Sequence, residues 1–165
     1  MNIMNIEHIS KIFGEKTIFD DASIGIQEGD KIGIVGINGT GKSTLLRMIA
    51  GDEVPDSGNI IRQNQLKLAW LPQEPKFPEN ATILSYAGDD ETGWKVQSNL
   101  SQLGIMDYSM PIDQLSGGQK RKVALAKVLA QDFDVLLLDE PTNHLDSAMI
   151  RWMEDYLKNF RGTIL

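Results

Sequence analysis

Apolar and polar positions alternate with period two through residues 2–9 and again through 17–26, with the turn-like FGEK between them, the pattern of two antiparallel strands forming a small β layer. KIGIVG, Lys31 to Gly36, is a short β-rich run that stops at glycine, and Lys42–Ala50 reads as a helix closed by Gly51. Pro55-Asp56-Ser57-Gly58 predicts a turn, followed by strands at Asn59–Gln63 and Leu66–Leu71, the second with Leu66, Leu68 and Trp70 on one face. Proline and glycine break the pattern from Pro72 to Gly93. Trp94–Leu103 then returns to helical spacing through Val96, Leu100 and Leu103, and another helix runs from about Ser116 to Gln131. Val135–Leu138 is four consecutive aliphatics, the mark of a strand buried on both faces in a parallel sheet. Burying them contributes roughly 6–12 kcal/mol before conformational entropy is subtracted. Met149, Trp152, Met153, Tyr156, Leu157 and Phe160 form one apolar stripe of a last helix that ends before Gly162.

Composition narrows the class. The chain has 165 residues, 41% hydrophobic and 24% charged, enough for one domain with its own core. It has no cysteine and two isolated histidines, His8 and His144, which excludes disulfides, thiolate chemistry and a transition-metal cluster. The net charge of −7 argues against bulk electrostatic binding of nucleic acid, so an RNA contact needs a local basic patch. The sequence has no membrane-length apolar run and no signal-peptide pattern at its start, so direct membrane insertion is not expected and a cytoplasmic protein is.

Two stretches carry the chemistry. GINGTGKST, Gly36–Thr44, is G-x-x-x-x-G-K-S between a predicted strand and a predicted helix. Glycines 36, 39 and 41 let successive backbone N–H groups turn toward a phosphate at the positive end of the helix. Lys42 then reaches the β- and γ-phosphates and the Ser43 hydroxyl ligates Mg²⁺. VLLLDEP, Val135–Pro141, ends a buried strand in two carboxylates. Asp139 is placed for the Mg²⁺ shell, and Glu140 for polarising a water aimed at the γ-phosphate. A third stretch, LSGGQKRK (Leu115–Lys122), spends two glycines at a helix start, each costing about 1 kcal/mol in a helix interior. Ser116 and Gln119 have the spacing of a capping box, but a capping box does not require the double glycine.

In this order the three motifs resemble the nucleotide-binding domain of ATP-binding-cassette (ABC) proteins. The resemblance implies an α/β fold: a P-loop NTPase with a RecA-like parallel core sheet, an N-terminal antiparallel β layer and a short helical signature subdomain. It implies a single domain over residues 1–165, with core and β layer in 1–73 and 132–165 and the helical subdomain in 74–131. Mapped residue by residue, it implies ATP contacts from Gly36, Asn38, Gly39, Thr40, Gly41, Lys42, Ser43 and Thr44, with Phe13 stacking on adenine. Gln73, in WLPQEP, becomes the Q-loop amide near Mg²⁺ and the attacking water, so the implied metal ligands are Ser43, Gln73 and Asp139. Asn143-His144-Leu145-Asp146 becomes the D-loop, with His144 structural. Ser116, Gly117, Gly118 and Gln119 would hold the γ-phosphate bound by the P-loop of a second cassette, so hydrolysis takes place between two head-to-tail domains.

DEPTNHLD and LPQEP are most similar to the F subfamily, soluble two-cassette proteins acting on the ribosome in translation. That implies ATP and Mg²⁺ as cofactors, ATPase activity, and a second cassette and the ribosome or its RNA as partners. An ATPase subunit of a transporter and a non-hydrolysing nucleotide-binding module are the alternatives. In that subfamily the first cassette usually carries a helical arm between Q-loop and signature. Only residues 74–114 separate the two here, so the arm is expected to be missing, with Gly88–Gly93 as its place. The chain stops at GTIL, in what should be a strand, before the family's switch histidine, and is read as a C-terminally truncated first-cassette fragment. The basic run Lys120, Arg121, Lys122 and Lys127 is expected to be a solvated helix face, with a ribosome-facing role as its rival.

Overall fold

At His8 the buried face of the first strand changes parity. Met4 and Ile6 are buried, and beyond His8 the buried positions are Ile9 and Lys11. Because side chains alternate strictly along a strand, one extra residue moves every later side chain to the other face. The bulge is visible as positive φ at His8 (51°) and at Asp21 (52°), as a register shift between the pairs Ile6–Ile24 and Ile9–Ala22, and as a 2.6 Å contact between His8 Nδ1 and Asp21 Oδ1. These strands are β1 (Asn2–Phe13) and β2 (Lys16–Gln27), both longer than the sequence pattern predicts. With β3 (Ser57–Arg62) they form an antiparallel sheet in the order β2-β1-β3.

The computed structural model describes residues 1–34, 41–87, 93–141, 145–160 and 162–165. The chain divides into two compact units, one of residues 1–70, 133–139 and 161–165, the other of 71–132 and 140–160. The sequence reading groups residues 140–160 with the core segment 132–165.

The first unit also holds most of a second sheet, ordered β4-β5-β6, from β4 (Leu68–Leu71), β5 (Val135–Leu138) and β6 (Thr163–Ile164). β5 and β6 are parallel, as predicted for a central aliphatic strand, and Val135, Leu136 and Leu137 have no exposed surface. On the far side of β6, Ile32 N–H donates to Ile164 O at 2.8 Å, and Ile164 N–H to Asp30 O at 2.9 Å. KIGIVG therefore joins the sheet; among its described residues Lys31 forms a bridge, and Val35 and Gly36 lie outside the described residues. In β4 the most deeply buried residues are Ala69 and Leu71, on the face opposite Leu68 and Trp70. Leu66, Leu68 and Trp70 still pack against the core, so this strand is covered on both sides.

Helix α1 (Lys42–Ala50) lies on β5 and buries Leu46, Met48 and Ile49 into a core shared with Met4, Ile6, Ile9, Ile26, Val135 and Leu137. It closes as predicted at Gly51, whose φ of 94° lets its N–H return to Arg47 O at 3.0 Å.

The second unit is helical: α2 (Ile83–Ala87), α3 (Gly93–Gln102), a 3₁₀ turn at Ile112–Gln114, α4 (Gly117–Ala130) and α5 (Ser147–Asn159). The short α2 interrupts the interval Pro72–Gly93, in which the sequence pattern is broken by proline and glycine. α4 is buried almost all round, as befits the central helix of a bundle. It packs on α3, where Asn99 Nδ2 donates to Ala126 O at 3.1 Å. On α5 only Met149 and Met153 of the apolar stripe are buried. Trp152, Tyr156 and Phe160 are half-buried and stack on one another at 5.7 and 6.4 Å.

Candidate functional site

The P-loop is described from Gly41 onward; Gly36, Asn38, Gly39 and Thr40 lie outside the described residues. Gly41 is the N-cap of α1 with φ 97°, in the region that only glycine enters cheaply. A Cβ there would sit 2.3 Å from Ile18 Cγ2 and 3.4 Å from Phe19 Cζ, so conformation and packing on β2 both require glycine. A glycine cap brings no side chain to the first N–H groups of α1, and no acidic residue stands in its first turn. Such an end suits an anion. Lys42 and Ser43 are half-buried at that end and Thr44 is buried. Phe13, at the last position of β1, is 44% exposed, with Lys11 Nζ 5.1 Å from its ring centre.

Asp139 follows β5 directly and is 3% exposed. Among the described residues no three His, Cys, Asp or Glu side chains cluster as a metal site. The donors that Ser43 and Asp139 supply in the first unit are hydroxyl and carboxylate oxygens, the hard ligands Mg²⁺ takes, and Gln73 in the second unit offers an amide oxygen. An ion that keeps most of its waters needs few protein ligands, so the donor set fits magnesium.

In the second unit Gln73 Nε2 donates to Glu140 Oε2 at 3.0 Å, joining two residues predicted on separate grounds. Glu140 has φ 45°, a sparsely populated conformation for a side-chain-bearing residue. Asn143 and His144 lie outside the described residues, whereas Asp146 caps α5 by accepting from Met149 N–H at 2.8 Å.

The signature opens α4 as the capping-box spacing predicts. Ser116 Oγ accepts from Gln119 N–H at 3.2 Å, and Gln119 Oε1 accepts from Ser116 N–H at 3.0 Å. Gly117 has no neighbour within 4 Å of where a Cβ would stand, so nothing in the fold requires glycine there.

The expected solvated basic face is not observed. Arg121 is 4% exposed, and its guanidinium donates to Gln73 O at 2.5 Å and Glu140 O at 2.8 Å. Lys127 Nζ donates to Tyr86 O at 2.7 Å and lies 4.2 Å from that ring. Lys122 Nζ reaches Leu103 O at 3.4 Å and stands 3.8 Å from Asp146. The sequence did hold the signal for Arg121. It shares a helix face with Leu125 and Val128 at i+4 and i+7, both buried, but the run of basic neighbours obscures that periodicity.

A parallel sheet whose aliphatic strand carries a glycine-capped helix on its face, beside an antiparallel sheet, is the fold of P-loop NTPases. The ABC transporter family pattern matches residues 19–143, and the chain belongs to that family. It is 36% identical to the uncharacterized ABC transporter ATP-binding protein YfmR of Bacillus subtilis over 209 aligned positions, covering 100% of this chain and 33% of YfmR. It is 38% identical to the ribosome protection protein VmlR of the same organism over 164 positions, covering 99% of this chain and 28% of VmlR. The chain thus spans about a third of the length of these curated relatives. Among solved structures, an archaeal ribosome recycling factor, aABCE1, in complex with the ribosomal stalk protein aP1 superposes with a TM-score of 0.83 at 31% identity, over 100% of this chain and 33% of that one. The 209 positions aligned with YfmR exceed the 165 residues here, so YfmR carries residues with no counterpart in this chain; the VmlR alignment shows no such excess. Of Gly88–Gly93, the expected place of a missing arm, residues 88–92 lie outside the described residues and Gly93 opens α3. No helix among the described residues is long and apolar enough to cross a membrane.

Proposed function

We propose that this chain binds ATP with Mg²⁺ and hydrolyses it to ADP and phosphate as one member of a head-to-tail cassette pair, in a cytosolic protein that acts on the ribosome. The observation that carries this reading is the hydrogen bond from the Gln73 amide to the Glu140 carboxylate. It brings a neutral group that can orient a water together with a base that can polarise one. Lys42 and the N–H groups at the start of α1 hold the β- and γ-phosphates. Ser43, Gln73 and Asp139 would hold a magnesium ion, which when bound would neutralise phosphate charge. Phe13 offers its exposed ring to adenine. Glu140 accepts the proton of the attacking water, and Gln73 keeps that carboxylate from turning away. The open side of Gly117 supports a phosphate contact made to a partner's nucleotide, with the Gly117 and Gly118 amides as donors. The ribosome is favoured over a membrane partner by the names of VmlR and aABCE1.

Glu140→Gln should retain ATP binding and lose about 10²–10⁴ in turnover, the contribution of a positioned base. With ATP and Mg²⁺ it should also form a dimer visible by light scattering and sediment with ribosomes. Turnover unchanged by Glu140→Gln overturns the catalytic reading. A dimer that forms but ignores ribosomes, and instead binds a membrane-spanning subunit, overturns the translational one.

A further inference from the structure

We infer that Arg121 is the positioning residue of the hydrolytic pair: its buried guanidinium fixes the backbone at both Gln73 and Glu140 and so sets the geometry in which their side chains meet. The inference rests on the proposed reading of those two residues as the water-orienting pair. Arg121 is placed on the first turns of α4, one helical turn after Gly117, and is 4% exposed. A cation is seldom buried unless hydrogen bonds compensate for its lost hydration. Here the compensation includes three backbone carbonyls: Gln73 O at 2.5 Å, Glu140 O at 2.8 Å, and Pro72 O at 3.4 Å.

Those carbonyls belong to stretches far apart in sequence, and the side chains they carry meet in the 3.0 Å bond from Gln73 to Glu140. A planar fork with several N–H groups in fixed directions can hold two carbonyls at a set separation, whereas an ammonium is a point donor on a flexible stem. Glu140 adds a second reason. Its φ of 45° is an uncommon conformation, which persists only where the surroundings hold it. The Arg121 bond to its carbonyl is one of the contacts that does so. The same side chain ties the helix that begins with Ser116 and Gly117 to the two residues that act on water.

Arg121→Lys and Arg121→Met in the full chain, compared with wild type and Glu140→Gln, test this. Binding sites are counted with a fluorescent ATP analogue, so that turnover is expressed per ATP-binding molecule and misfolded protein drops out. The Lys variant keeps the charge and carries the test if the Met variant does not fold. Expected are analogue affinity and KM within about threefold of wild type and kcat lower by about 10²-fold, the cost of misplacing reacting groups by about 1 Å. In the double variant Arg121→Lys/Glu140→Gln, turnover should fall no further than in Glu140→Gln, because groups acting as one unit are not additive. Unchanged kcat per binding site in Arg121→Lys, or losses that multiply in the double variant, would overturn the inference while leaving the pair's role intact. Turnover that survives Glu140→Gln would instead remove the reading on which it rests.

Discussion

Gly117→Ala separates what α4 needs in order to fold from what the signature needs in order to act. The position is the first residue of the helix, its φ is not in the left-handed region, and a Cβ placed there meets nothing within 4 Å. Alanine loses less backbone freedom on folding than glycine, and the difference in a helix is about 0.5–1 kcal/mol in alanine's favour. For a chain of this length 1 kcal/mol moves the melting temperature by about 2–4 °C, so the variant should melt a degree or more above wild type. Association should change in the opposite direction. If the N–H groups at the start of α4 receive a partner's γ-phosphate, a methyl group on that open side forces the phosphate away. Losing one hydrogen bond to a charged group costs about 1.5–3 kcal/mol, or about 10- to 10²-fold in the dimer dissociation constant. Differential scanning fluorimetry without nucleotide and light scattering with ATP and Mg²⁺, both in the Glu140→Gln background, measure the two effects on one protein. A lowered melting temperature would show that the fold does need glycine at 117. Undiminished dimerisation would show that this face does not meet the nucleotide.

Two further perturbations act on the first unit. Gly41→Ala should do the reverse of Gly117→Ala, because the left-handed φ of 97° and the 2.3 Å approach to Ile18 both penalise a Cβ; a loss of at least about 1–2 kcal/mol in urea unfolding, with weaker nucleotide binding, is expected, and unchanged stability would refute the geometry given for the cap. Lys11 is buried and donates to Glu53 Oε1 at 2.9 Å and Val54 O at 2.6 Å. That hydrogen bond holds Glu53 below its ordinary 4.5 and Lys11 above its ordinary 10.5. The Glu53 contribution is therefore present above pH 4.5 and lost as pH falls through the folded-state value, while that of Lys11 is present below pH 10.5 and lost as pH rises through its own. The stability gap between wild type and Lys11→Met, read as urea midpoints, should be flat between those limits and shrink on the acid side; a gap that stays constant down to pH 3 would mean that the pair does not carry it.

What the sequence made legible follows from how locally each feature is determined. The cap of α1 at Gly51, the capping box at Ser116 and the burial of Val135–Leu138 each depend on a few adjacent residues whose chemistry admits few alternatives, and each stands where the pattern put it. The bulge at His8 was hidden because period-two alternation continues on either side of it, and it is the pairing with β2 and β3 that shows the change of face. The burial of the other face of β4 was hidden for a related reason: Leu68 and Trp70 are larger than Ala69 and dominate a hydropathy pattern. In a strand covered on both sides, the small residue can be the one more completely enclosed.

Helical periodicity carries a signal for the burial of Arg121, but not for the acceptors that it meets. Charge predicts exposure because an unpaired buried cation is costly, but the rule weakens once the fold provides acceptors, and here the acceptors include backbone carbonyls, which every residue has. No side-chain pattern advertises them, since Gln73 and Glu140 are separated from Arg121 by long stretches of chain and take part through main-chain atoms. A Lys-for-Arg exchange at 121 would preserve every feature by which LSGGQKRK was recognised, including its charge, while removing the fork that spans two carbonyls. A motif scored by residue class would therefore call that variant intact, whereas the structure predicts that it binds nucleotide normally and turns it over slowly.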